Sequence, residues 1–270
     1  MQAGDAGGAF TLPDGVQVRS VGPTQLLTTQ LGEVILPGSG SGDLPTVSDT
    51  ATIGNNTLVS GLAIDPAGAD GIVANGEGIV IEDNTITNAN VGINLPDIDG
   101  TVAIVGNQIS NTTDDGIFFG VLNGMDDTTV DVADNTFDTI GADGIEFEGI
   151  FEDATANITV ANNQITDTQE DGIFVDDIEG NAVATITVAD NTLDTIGEDG
   201  IEIDLIVEDA TANITVVNNQ ITDAQEDNIF IDNIEDNAVA TITISDNVID
   251  AANVDGRSEE RRVGTECRSR

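Results

Sequence analysis

Asp115, Asp143, Asp171, Asp199 and Asp227 follow one another at intervals of 28 residues, Asp255 continues the series, and Glu170, Glu198 and Glu226 immediately precede three of them. If folding stacks them, carboxylates repeated at one interval can do two kinds of chemistry. They can hold a hard cation, since two Ca–O bonds of ~2.4 Å span one inter-strand step of ~4.8 Å. Alternatively, one carboxyl can act as general acid and its neighbour as base or nucleophile on a glycosidic bond. Unpaired, the stacked charges repel by about 0.9 kcal/mol per neighbouring pair even at the dielectric of water. Splaying into solvent, screening by concentrated salt and cation binding each relieve that repulsion. The chain has neither the spacing of an EF-hand loop nor a glycine-rich nonapeptide. The expected arrangement is therefore a row of splayed, solvated carboxylates, followed by halophilic screening. A Ca²⁺ ladder on Asp115, Asp143, Asp171, Asp199 and Asp227 is the candidate metal site.

Composition restricts the partners. The 270 residues hold 50 Asp plus Glu against 6 basic residues, a net charge of −44, with no His, Trp or Tyr. All the basic residues are arginine: Arg19, then Arg257, Arg261, Arg262, Arg268 and Arg270. Nucleic acid and anionic membrane both demand cationic side chains, so neither is an expected partner. The chain is not a disordered acidic tail, because Ile, Val and Leu recur at fixed intervals among the carboxylates. No apolar run reaches membrane-spanning length.

The elements that must position the acids are repeats. Asn107, Asn135, Asn163, Asn191, Asn219 and Asn247 share the 28-residue spacing, and Asn56 and Asn84 are read as extending the column. A second column runs Gly116, Gly144, Gly172, Gly200, Asn228 and Gly256, and a third Ile117, Ile145, Ile173, Ile201 and Ile229. In "ATITVADN" the apolar Ile186 and Val188 alternate with Thr185 and Thr187, which is a strand period. Parallel stacking then makes Ile158, Ile186, Ile214 and Ile242 one inward row and Val160, Val188, Val216 and Ile244 another. The alternation of Gly172 with Asn228 suggests a turn at positive φ, which both residues accept. On that reading Val at 172 disrupts the coil and Asn there is tolerated.

These motifs, "VNNQITD" followed by "DNIFI", resemble the right-handed parallel β-helix family of pectin-lyase-like solenoids over roughly residues 50 to 256. The resemblance implies an all-β solenoid of about eight coils, mostly 28 residues long, with the Asn column as a hydrogen-bonded ladder at a turn. It also implies polysaccharide cleavage as one activity, by lyases that use Asp-bound Ca²⁺ and an Arg or Lys base, or by hydrolases that use Asp clusters supported by His, Arg or Lys. Here the coils carry no Lys, His or Arg, so elimination lacks its base and an acidic substrate its counter-charge. No catalytic residue is assigned, and more weight falls on a non-enzymatic role.

Three further features bear on function. "DTIGADGIEFEGIFEDATANITVANNQITD" recurs almost unchanged 56 residues on, which suits a scaffold extended by copying. Thr159, Thr187, Thr215 and Thr243, with Asn157, Thr185, Asn213 and Thr241 two residues before them, form outward rows similar to the flat faces of ice-binding solenoids, though outward Thr is also ordinary in strands. Phe118, Phe174 and Phe230 alternate with Glu146 and Glu202 on another outward column.

Residues 1–48 read as an N-terminal cap-like or extended segment and 49–256 as the β-helix. Within the first segment "LPGSGSGDLP" reads as a turn-rich loop and not a phosphate site. "RSEERRVGTECRSR", 257–270, with the only cysteine, resembles a translated sequencing-adapter read-through and is expected to be a non-native, disordered tail. "MQAGDAGGAF" lacks a secretory signal, and flanking domains of a longer chain are expected. The resulting expectation is a non-catalytic structural or adhesive region of a secreted or cell-surface protein, with a glycan or surface ligand as partner and Ca²⁺ as the candidate cofactor. A glycoside hydrolase or lyase is the alternative.

Overall fold

Burial alternates residue by residue along the "TANITVA" strand Thr155–Ala161: Ala156, Ile158 and Val160 are buried while Asn157 and Thr159 are exposed. A β-branched strand with one apolar face must cover that face, and here the chain does so by turning three times per repeat and closing on itself. One coil contains Ile145–Ile150, Thr155–Ala161 and Gln164–Thr168. Each of these strands joins a different sheet, giving three parallel nine-stranded sheets. The computed structural model describes residues 8–250 apart from 25, 30–31, 36–37, 41 and 123–126. Asp255, Gly256 and the expected tail at 257–270 lie outside the described residues.

Register follows the repeat. Ile145 pairs with Ile173, Ile173 with Ile201 and Ile201 with Ile229 in the first sheet. In the second, Ile158, Ile186, Ile214 and Ile242 stack in turn, as do Val160, Val188, Val216 and Ile244. Both inward rows are buried until the last coil, where Ile244 is 50% exposed. Phe119 and Phe147 stack inside the solenoid with ring centroids 4.4 Å apart. Eight coils lie within 51–249. The ninth strand of each sheet comes from the segment expected as a cap, through Phe10–Leu12, Gln17–Arg19 and Thr46–Val47. An antiparallel hairpin, Leu26–Thr29 with Gly32–Ile35, is inserted in that first coil. The Gly40 and Gly42 N–H groups of the nearby loop donate to the carbonyls of Val21, Pro23 and Gly22, so they are occupied within the chain.

The Asn column is a continuous ladder, buried from Asn84 to Asn219 and half-buried at Asn247. In each rung the backbone N–H and Nδ2 both donate to Oδ1 of the next asparagine, from Asn84 through Asn247, at 2.8–3.0 Å. The second Nδ2 hydrogen reaches a strand carbonyl, as from Asn163 to Val132 at 2.9 Å. Every polar atom of the buried amide is thereby satisfied. Asn56 is not part of this ladder. It is an exposed turn residue at φ 53°, and the rung below Asn84 is Leu62, whose N–H donates to Asn84 Oδ1. The corner is made by the residue before each asparagine, which is left-handed: Asp83, Gly106, Asp134, Asn162, Asp190, Asn218 and Asp246, with φ of 56–69°. All are Asp, Asn or Gly, the residues that enter this region most readily.

The Gly column does not mark a left-handed turn. Gly116, Gly144, Gly172, Gly200 and Asn228 are all absent from the left-handed region. Glycine is needed there because the next coil lies too close: a Cβ on Gly172 would stand 2.5 Å from the Gly200 carbonyl oxygen and collide with Leu193. Asn228 occupies the last described rung, and the position above it, Gly256, is outside the described residues. Its Oδ1 is buried without a hydrogen-bond partner among the described residues.

Candidate functional site

The aspartates stack as the spacing implies, but they do not splay. Asp115, Asp143, Asp171 and Asp199 are 4–7% exposed, at the corner that feeds the first sheet. The chain turns there so that each carboxylate lies under the next coil's backbone. Asp115 Oδ1 accepts the N–H of Asp143 at 3.2 Å, Asp143 that of Asp171 at 2.6 Å and Asp171 that of Asp199 at 2.7 Å. Asp199 accepts in the same way from Asp227, which is half-buried. Glu170, Glu198 and Glu226 remain exposed beside this row.

Two glutamates convert the row into clusters. Glu146 lies in register between Phe118 and Phe174, and Glu202 between Phe174 and Phe230, in the column of the first sheet that alternates aromatic and acid. Each Glu is three residues past an Asp and one coil above another. Asp115, Asp143 and Glu146 bring carboxylate oxygens within 4.8 Å of one another, and Asp171, Asp199 and Glu202 do the same. Asp227 belongs to neither group among the described residues.

Burial, followed by the neighbouring acids, pushes these groups toward the protonated form. Glu146 and Glu202 rise to about 9, Asp143 to about 8, Asp199 to about 7 and Asp115 to about 6, and Asp171 is also raised. Glu146 and Asp115 are coupled through a hydrogen bond between their carboxyls, which requires a proton on one of the two. Glu202 and Asp171 share a proton in the same way. Two ionised carboxylates in contact would repel, whereas an acid–carboxylate pair attracts.

A family described as Right handed beta helix region matches residues 40–180 and again 121–258. The chain belongs to the right-handed β-helix family. No curated protein matches it, and no solved structure does. Membership fixes the right-handed solenoid and leaves the activity open, since many functions share this β-helix.

Each cluster of this β-helix has three carboxyl groups that could approach a cation. Ca²⁺ takes roughly six to eight oxygens, and Oδ1 of Asp115, Asp143, Asp171 and Asp199 already accepts an N–H. A cation would also have to displace the shared proton. The donor set fits a proton better than it fits calcium. Among the described residues the cationic side chain is Arg19, whose Nη1 is 2.5 Å from Glu82 Oε1, in coils away from both clusters. The sequence offered a signal for the glutamates, the DGIF/DGIE alternation. A period of two puts that column outward and apart from the Asp column, because alternation carries no sign that the corner turns Asp beneath Glu.

Proposed function

We propose that this β-helix is a non-catalytic structural or adhesive element of a secreted or cell-surface protein. The observation that carries the reading is the use made of the aspartates: each Oδ1 accepts a backbone N–H from the next rung, so the acidic row braces the coils. A glycosidase pair must flank a scissile bond with room for sugar or water between the carboxyls. In both clusters the Glu and an Asp bond to each other. The clusters also repeat with their aromatic neighbours two coils apart, which accords with copying of a structural unit.

The second reading is a polysaccharide-degrading enzyme. It is favoured by one observation, the close grouping of Glu146 with Asp115 and Asp143, where burial favours the protonated form so that one carboxyl could donate a proton and a neighbour accept it. The test is incubation with a glycan panel, monitored for new reducing ends and unsaturated products. No turnover is expected. Turnover lost on Glu146→Gln or Glu202→Gln alone would replace the first reading by the second.

A further inference from the structure

On a molecule of net charge −44, the outer face of the second sheet between residues 155 and 245 is without charge. Its four strands, Thr155–Ala161, Val183–Ala189, Thr211–Val217 and Val239–Ser245, pair over all seven residues without slip. The face is therefore regular, with steps of ~6.6 Å along each strand and ~4.8 Å between rungs. One outward column is Thr159, Thr187, Thr215 and Thr243 throughout. The next alternates Asn157 and Asn213 with Thr185 and Thr241, the column at the strand starts alternates Thr155 and Thr211 with Val183 and Val239, and the column at the strand ends is Ala161, Ala189, Val217 and Ser245. The charge-free area starts above Asp131, which pairs with Thr159, and Glu152 and Asp190 stand at its margins.

Three properties select an occupant. The absence of charge, within acidic margins, favours a neutral partner and repels an anionic one. Short β-branched hydroxyls and amides held on rigid strands donate and accept hydrogen bonds, while the valine and threonine methyls meet apolar C–H faces. The alternation gives a repeat of two rungs, about 9.6 Å along the solenoid. An extended β-1,4-linked glycan, whose successive sugars turn over, likewise repeats every second unit. A partner with a one-rung repeat would leave the Asn/Thr and Thr/Val alternation unused.

We propose that this face binds an extended, uncharged β-linked glycan lying along the solenoid axis, with each disaccharide spanning two rungs. This deepens the adhesive reading above and rests on it. The test is titration calorimetry of the whole chain with cellohexaose, mannohexaose, chitohexaose and an oligogalacturonate. At least one neutral hexaose is expected to bind and the galacturonate not to. The double variant Thr187→Glu, Thr215→Glu should weaken binding at least tenfold while it remains folded, its melting temperature lowered only by the repulsion of the two stacked charges. If that variant unfolds, Thr187→Ala with Thr215→Ala should still weaken binding severalfold. The inference is overturned if none of the neutral hexaoses binds, if the folded variants bind as well as the parent, or if thermal hysteresis or pairing of copies is the only activity of the face. Turnover of a bound hexaose would overturn the non-catalytic reading and leave the binding face standing.

Discussion

A methyl group on Gly172 would stand 2.5 Å from the Gly200 carbonyl oxygen, and no rotamer can relieve contact with backbone. Gly172→Ala and Gly172→Asn are therefore both expected to destabilise the solenoid, by about 1–3 kcal/mol or more, in urea unfolding. An asparagine tolerated as well as glycine would contradict the close-packing account. A different strain sits one corner away. Thr195 holds φ 62°, although the same slot is Asp167 in the coil before and Asp223 in the coil after, at 60° and 55°. A β-branched residue in this region is strained, whereas Asn and Asp enter it readily. Thr195→Asn should raise stability by about 1 kcal/mol, readable as a shift in urea midpoint at constant slope. The sequence alone could not separate the two cases, because a column of Gly with one Asn in it reads equally as a left-handed turn or as a close approach of backbone. Only the neighbouring coil tells them apart.

At the scale of elements, the rows running along the axis divide by chemistry. The Asn ladder is neutral and fully bonded, so its contribution is independent of pH. The Asp row with Glu146 and Glu202 is not. These acids have folded-state values above their ordinary ones, so the folded chain holds protons that the unfolded chain releases. Their stabilising effect is complete below about pH 4 and is lost as pH rises through the folded values, from about 6 to about 9. Melting temperature should fall across that window, and Glu146→Gln with Glu202→Gln should flatten the decline, because an amide keeps a donor without a titrating proton. A decline of the same slope in both proteins would remove the shared-proton account. Strand positions, inward rows and coil length were legible because a 28-residue period and a two-residue period are both printed in the chain. The clusters were not, since they join residues across a corner, where alternation no longer says which way a side chain points.

For the whole molecule, the carboxylates remaining outside the clusters set the dependence on salt. The chain carries −44 and its coils stack like charges ~4.8 Å apart, closer than the screening length of ~10 Å at 0.1 M salt but beyond the ~3 Å reached at 1 M. Rows such as Glu170, Glu198 and Glu226 are exposed, so ions reach them freely. Unlike an isolated surface pair, whose screening is nearly complete at moderate salt, stacked rows should continue to gain between 0.3 and 1 M NaCl. A gain of about 2 kcal/mol over the range would raise the melting temperature of a chain this size by roughly 4–8 °C. The increase should be smaller at pH 5 than at pH 8.5, since the clusters are protonated at the lower pH and add to the repulsion only at the higher. Calorimetry at both pH values, with NaCl and CaCl₂ matched in ionic strength, separates the contributions. Equal curves for the two salts assign the effect to screening, whereas an excess for CaCl₂ confined to pH 8.5 would mean that Ca²⁺ enters the clusters once their aspartates have ionised. A melting temperature indifferent to NaCl at both pH values would mean that the stacked charges do not govern stability.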